Sequence, residues 1–523
     1  MTSGSATPPD GDAAAAGALP TSGEVLSGGL WTSLSRFVPQ VYTLVVSIVA
    51  ARFLGPAGMG RQSFIAFVEL TAIFAFTAGL PLALGRFVAA SLGAQEPAQV
   101  RRLVRWAWRA EAVGAGLTLA LFAGLAAAGA DPRGAWLLAG IAASLAVLYA
   151  VPSTLLMATR RWRQAALITL ATGLLGTCAT VVVLAAGGRI VAMFAVEAAV
   201  AAISLAVTGV LARRALAGID GTDRATKVPM RHVRRFTLVA SITAVLDFVV
   251  WRRSEFFFLN HYSSDTQIAL YSIPFAAVTA LVRLPEPISR VVTPAVATLT
   301  GAGSRERIVN GFGRGFRLLV FASIPLTAVA LALGPRTLSL VYGNDYRHTG
   351  KVLVILLVPF PLLPLLGLAS AVMLGLGRQA VNTVSMAFAA ALDIGLDFLL
   401  IPDHGAIGAA IANACAQTAG AVPMIVYVLM TFRGAHLTTR FFVKVAALGA
   451  GTGAAALAGI VLVEGAGGVV LGAAFAVAAF VVLARVLRAL SEADGRWLEQ
   501  YGGTSLGGWI GRASRAWAEL PGT

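Results

Sequence analysis

Residues Trp136 to Gly188 read WLLAGIAASLAVLYAVPSTLLMATRRWRQAALITLATGLLGTCATVVVLAAGG. Two unbroken apolar runs flank a turn that holds Arg160, Arg161 and Arg163. Each run is long enough to cross a bilayer as a helix. Lipid offers no hydrogen bonds to an exposed backbone, so only helices or closed barrels span it. The runs do not alternate polar with apolar, so they predict helices. The pattern of apolar run, basic turn, apolar run recurs outward from here in both directions.

Composition agrees with that reading. The chain has 523 residues, 58% hydrophobic and 12% charged. A soluble chain carries roughly a quarter charged residues. Fourteen spans follow, at 29–52, 62–85, 104–128, 135–157, 164–187, 190–212, 236–258, 267–292, 316–334, 352–375, 381–402, 405–430, 443–463 and 466–488. The fold class expected is an all-α polytopic membrane protein, with two pseudo-symmetric six-helix lobes and a C-terminal helix pair. Residues 1–28 predict a disordered cytoplasmic tail, 29–212 an N-lobe and 213–235 a basic cytoplasmic linker. Residues 236–430 predict a C-lobe, 431–488 the last two spans, and 489–523 a cytoplasmic tail with an interfacial segment.

The net charge of +16 would suggest nucleic acid in a soluble protein. Here the basic residues sort by loop instead. With the N-terminus cytoplasmic, 29 of the 40 Lys and Arg fall on the cytoplasmic side and seven on the outer side. That asymmetry is the one that orients membrane proteins. It places both termini in the cytoplasm of a bacterial plasma membrane and leaves no nucleic-acid partner. Cys178 and Cys415 fall inside spans and are expected to be small buried apolar groups. No phosphate-binding G-x-x-x-x-G-K-[ST] motif occurs, no metal cluster is evident, and no cofactor is expected.

A weak internal repeat links the halves. ARFLGPAGMGRQSFI (Ala51 to Ile65) is matched by FFFLNHYSSDTQIALYSI (Phe256 to Ile273), and WRQAAL from Trp162 by GRQAVN from Gly377. Six spans bring both copies into the membrane from the same side, as in parallel-repeat transporters.

Intramembrane charges carry the functional reading, because a charge at the bilayer centre costs at least ~2.5 kcal/mol on insertion scales. In the first span Thr32, Arg36, Gln40, Thr43 and Ser47 share one helical face. The seventh carries Asp247, Arg252, Arg253 and Glu255, where Arg252 and Glu255 are spaced to pair. The eighth carries Arg283, Glu286 and Arg290 beside Pro285 and Pro287. Arginine forks suit a pyrophosphate, so Arg36, Arg252, Arg253 and Arg283, with Gln40, Thr43 and Glu286, are candidates to line a substrate path. Trp31, Tyr42, Trp251 and Tyr271 suit sugars. Asp247, Asp393, Asp397 and Glu69 are candidates for binding a coupling H⁺ or Na⁺. Capping and polar packing between helices is the other reading of Asp393 and Asp397.

ARFLGPAGMGRQSF (Ala51 to Phe64) resembles the first outer turn of polysaccharide repeat-unit flippases, within the multidrug/oligosaccharidyl-lipid/polysaccharide exporter superfamily. VYGNDYRHTGKVLVIL (Val341 to Leu356) looks like that family's outer loop before the tenth span. GRQAVNTVSMAFAAALDIGLDFLLIPDHGAIGAAIANACAQ (Gly377 to Gln417) looks like its eleventh and twelfth spans. The likeness covers roughly residues 29–490. It implies two six-helix lobes around a central cavity and alternating access without covalent chemistry. It also implies a lipid-linked saccharide as cargo, membrane lipid as surroundings, and polysaccharide-assembly proteins as partners. Drug exporters and peptidoglycan-precursor flippases share the architecture. The basic residue of the latter's second span has no counterpart in VELTAIFAFTAGLPLALGRF, which carries Glu69. A membrane glycosyltransferase or ligase is the third reading, and it would need a sizeable outer loop.

Overall fold

The computed structural model describes residues 22–77, 79–94, 96–219, 229–251, 254–282, 286–432, 438–488 and 490. Among these residues there are sixteen α-helices and no strand. They are α1 (Ser22–Thr77), α2 (Leu80–Gly93), α3 (Pro97–Ala127), α4 (Arg133–Ala158), α5 (Trp162–Ala185), α6 (Ile190–Ala217), α7 (Met230–Trp251), α8 (Glu255–Tyr262), α9 (Asp265–Val282), α10 (Glu286–Gly301), α11 (Arg305–Tyr342), α12 (Thr349–Leu357), α13 (Leu363–Gly375), α14 (Gln379–Thr431), α15 (Thr439–Leu462) and α16 (Gly465–Leu487).

Eleven helical stretches are long and apolar enough to cross a membrane. One of them, Ala380–Thr431, contains two of the expected spans, and Phe37–Thr77 contains parts of two. The seventh expected span is α7, which is not among the eleven. The chain is a multi-pass membrane protein of the expected class, but the connections differ from those the sequence suggests. At the expected loops 53–61 and 403–404 the helices are joined with almost no loop, through a single non-helical glycine, Gly55 inside the first and Gly405 just after the second. Gly55 has φ 70° and Gly405 has φ 53°, a region that only glycine enters without strain.

Prolines account for the other departures. The expected second span, 62–85, is interrupted: α1 stops at Thr77 and α2 starts at Leu80. Pro81 has no N–H to offer the carbonyl of Thr77. The expected tenth span is likewise two helices, α12 and α13, separated around Pro359, Pro361 and Pro364. α11 has 38 residues, about 57 Å at 1.5 Å per residue. It therefore extends well beyond a hydrocarbon layer of ~30 Å.

The chain divides into two compact units, Met1–Arg253 and Ser254–Thr523. In the first, α3 and α6 pack on α4, and α5 packs on α1. α7 belongs to this unit. Its Ser241 hydroxyl accepts from the Gly79 N–H at 3.1 Å, in the gap between α1 and α2. A Cβ on Gly79 would collide with the backbone of Ala240 and Ser241. In the second unit α15 pairs with α16 and both pack on α11, while α14 packs on α8, α9, α12 and α13.

Cys178 and Cys415 are exposed, not buried as the sequence suggested. Cys415 lines an apolar groove with Phe388 and Val422. In a membrane an apolar side chain gains as much from lipid as from the bundle interior, so apolarity does not select the inward face.

Candidate functional site

The most charged buried site described lies in the second unit, and a glycine turn assembles it. α14 carries Asp393 and Asp397 on one face before Gly405, and Asn413 and Gln417 on one face after it. The turn is held by Gln267 of α9, whose Oε1 accepts from the Ala406 N–H at 3.0 Å. That bond satisfies a donor that the helix loses at its reversal. A Cβ on Gly405 would lie 2.8 Å from the same Oε1. The two halves of α14 thereby present their polar faces to the start of α8 and to Tyr271 of α9.

One hydroxyl serves two carboxylates there. Ser254 Oγ lies 3.3 Å from Asp393 Oδ2 and 3.3 Å from Asp397 Oδ2. Asp393 is 6% exposed and Asp397 0%. The Oδ1 atoms of both are buried without a hydrogen-bond partner among the described residues. Beside them Glu255 Oε1 accepts from Tyr271 Oη at 2.8 Å and from Asn413 Nδ2 at 2.6 Å. Gln417 Nε2 donates to Asn413 Oδ1 at 2.6 Å, and Gln417 Oε1 is buried and unpartnered.

This arrangement has a chemical consequence. A hydroxyl has a single proton to donate, so Ser254 cannot satisfy both aspartates. Two like charges four residues apart repel, and among the described residues neither aspartate forms an ion pair with a basic side chain. Among the described residues the pair therefore carries no compensating positive charge. No group of three His, Cys, Asp or Glu is placed to hold a metal ion among the described residues.

The other expected site residues fare differently. Arg252, Arg253 and Arg283 lie outside the described residues, and so do the side chains of Arg36, Asp247 and Glu286, whose backbones are in α1, α7 and α10. The expected pairing of Arg252 with Glu255 falls there as well. Gln40 is half-buried and Thr43 exposed on α1. Thr43 spends its donor on its own helix, bonding to the Pro39 carbonyl at 2.9 Å. Glu69 is 5% exposed, and its charged neighbour is another acid, Glu197 of α6.

Two aromatic residues expected to meet sugar are engaged elsewhere. Tyr42 packs over Gly173 of α5, where a Cβ would lie 2.8 Å from the ring. Tyr271 is fully buried on Glu255. Sequence reading missed Ser254, Asn413, Gln417 and the role of Tyr271. The one available signal was the i, i+4 spacing of Asn413 and Gln417, which matches that of Asp393 and Asp397 across Gly405.

Comparison with known proteins finds no matching family model and no matching curated protein. Solved structures do match. One is the lipid II flippase MurJ in an inward closed conformation, 14% identical, covering 87% of this chain and 98% of that one, with a TM-score of 0.66. Another is an inward-facing multidrug resistance MATE family transporter of the MOP superfamily, at 16% identity, 79% and 99% coverage, and TM-score 0.63. A MATE structure in complex with MaL6 matches at 16% identity, 79% and 97% coverage, and TM-score 0.58. At these identities the likeness is one of fold.

Proposed function

From the fold that this chain shares with MurJ and MATE transporters, we propose that it is a transporter of the multidrug/oligosaccharidyl-lipid/polysaccharide exporter type. Its cargo is a polyprenyl-pyrophosphate-linked oligosaccharide, moved from the cytoplasmic to the outer leaflet by alternating access. Arg36, Arg252, Arg253 and Arg283 hold the pyrophosphate, and Gln40, Thr43 and Glu286 assist. The guanidinium fork supports this role, since it stays charged in low dielectric and binds phosphate oxygens bidentately. The reading requires no covalent step and no catalytic residue.

The observation that carries coupling is the pair Asp393 and Asp397, buried on a single serine with both Oδ1 atoms unpartnered. A site that needs one positive charge to close is suited to take up H⁺ or Na⁺ on one side of the membrane and release it on the other. Asp247 and Glu69 remain the rival coupling positions.

The test is flipping of a short-chain polyprenyl-pyrophosphate sugar in proteoliposomes under imposed H⁺ and Na⁺ gradients. Wild type flips the lipid, Arg36→Ala and Arg283→Ala abolish flipping with the protein still folded, and Asp393→Asn with Asp397→Asn removes gradient dependence. The acidic cluster of Asp393, Asp397 and Glu255 also favours a second reading, a cation-coupled exporter of organic cations. Absence of saccharide-lipid flipping together with gradient-driven cation efflux would establish that reading instead. Flipping of a peptidoglycan precursor alone would reassign the cargo within the same architecture.

A further inference from the structure

Four helices of the first unit change surface character at one level. On α2, exposed Leu82 is followed four residues later by exposed Arg86, and on α6 Val210 is followed by Arg214 in the same way. On α3 and α7 the order is reversed: Arg109 precedes Val113, and Arg234 precedes Leu238, all four exposed. Residues four apart lie one above the other on one helical face. Each helix thus carries an arginine and, one turn along the same face, a large exposed apolar side chain. α2 and α6 finish at this end of the unit, and α3 and α7 start from it. On all four the arginine lies towards the end and the apolar residue towards the middle.

One core brings these positions together. Phe87 next to Arg86, Ala107 two residues before Arg109, Ala212 two before Arg214, and Val233 next to Arg234 belong to a single buried apolar cluster. Trp106 and Trp108 of α3 pack half-buried against it, and tryptophan favours the level where hydrocarbon gives way to headgroups. Arg86 is also fixed in place. Its guanidinium lies 4.8 Å from the centre of the Phe236 ring and 5.6 Å from that of Phe87, and the two rings meet edge to face. Cation–π contact holds the plane of the group and leaves its N–H edge able to donate.

The four arginines lack counter-charge within the chain. None forms an ion pair with an acid among the described residues, and Glu96, the acid at the start of α3, is buried. Basic residues orient a membrane protein from loops, wherever in the loop they fall. Here they stand on helix faces, each in register with an exposed apolar residue. A soluble polyanion complements the charge but gains nothing from the apolar residues one turn away. A phospholipid complements both, because its anion and its hydrocarbon chains are covalently joined and stacked in that order.

We propose that Arg86, Arg109, Arg214 and Arg234 form a collar that binds the phosphates of anionic phospholipid headgroups, with the acyl chains lying against Leu82, Val113, Val210 and Leu238. Guanidinium forks suit phosphate oxygens, and anionic lipid attracts each arginine near its surface. The collar fixes the level of the first unit in the bilayer and selects anionic over zwitterionic lipid there.

The test is native mass spectrometry of the full-length protein in detergent, titrated with phosphatidylglycerol or phosphatidylcholine, and it requires no transport. Wild type is expected to retain phosphatidylglycerol in preference to phosphatidylcholine. Replacing the four arginines by glutamine is expected to weaken phosphatidylglycerol binding by about fivefold for each arginine removed, and to leave phosphatidylcholine binding unchanged. The control is Arg133→Gln with Arg189→Gln, two exposed arginines at the starts of α4 and α6, the far end of the unit; it is expected to change neither. Equal loss in the control overturns the proposal, by making the binding one of net charge. Equal retention of the two lipids by wild type overturns it as well. Retention of a short-chain polyprenyl phosphate without phosphatidylglycerol would give the arginines to the cargo instead. Heparin binding that persists in the presence of saturating phosphatidylglycerol and is lost in the fourfold variant would give them to a soluble acidic partner. Should the fourfold variant fail to fold, Arg109→Gln with Arg234→Gln decides by the same comparison against the control.

Discussion

Charge and hydrogen-bond arithmetic at single residues decides most of the chemistry of this chain. Ser254 has one proton for two aspartates, and both Oδ1 atoms are left over. Asp397→Asn keeps an acceptor for Ser254 and removes one like charge. It is expected to leave the melting temperature unchanged or raise it, while ending ion-driven transport. A loss of several degrees would mean that the carboxylate itself holds the helices together. Asn413→Leu acts in the opposite sense, because it takes a donor from buried Glu255 Oε1. Denaturation should show a loss of about 1–3 kcal/mol, the usual cost of an unsatisfied buried polar group. Arg61 and Asp131 form an ion pair at 2.9 Å but are 42% and 76% exposed. Solvent screens such pairs, and Arg61→Ala should cost under ~1 kcal/mol.

Whole helices in this fold are shaped by where their hydrogen bonds stop. α14 is two membrane spans joined at Gly405, and the reversal is sealed by Gln267. Gly405→Ala forces a β-carbon into positive φ and against Gln267 Oε1, and should cost about 1–3 kcal/mol. The thermal shift of the purified protein measures it. Gly79→Ala is expected to be worse, since its new methyl meets backbone of α7 and not the movable end of a side chain. Membrane yield and protease resistance of the α1–α2–α7 region would report it. A well-folded Gly79→Ala protein would mean that α7 can move away from the break without penalty. The interruptions near Pro81 and Pro359 to Pro364 were not expected, since 62–85 and 352–375 read as single spans, although prolines mark both. The reversals at Gly55 and Gly405 fall at or beside turns expected at 53–61 and 403–404; that single glycines make them was not legible, because a glycine-containing apolar run reads equally well as continuous helix or as a turn.

For the molecule as a whole, orientation is the property still to be measured. Basic-residue asymmetry predicts that a cysteine at 131, in a protein lacking Cys178 and Cys415, is labelled from outside by an impermeant maleimide. Cysteines at 163 and 378 are predicted to be protected; the reverse pattern would invert the topology. Helical class and multi-pass membrane character were readable from residue order alone, since in lipid the length of an apolar run and the position of charges act locally, one helix at a time. Asp393 and Asp397 were readable as candidates because an acid inside a span is conspicuous wherever it points. Their partners were not, for Ser254, Tyr271, Asn413 and Gln417 lie on three helices and meet only when Gly405 turns α14 back on itself. An acid's meaning depends on what lies beside it, and only tertiary packing, by stripping away water and bringing groups from other helices, decides whether a carboxyl is solvated or paired.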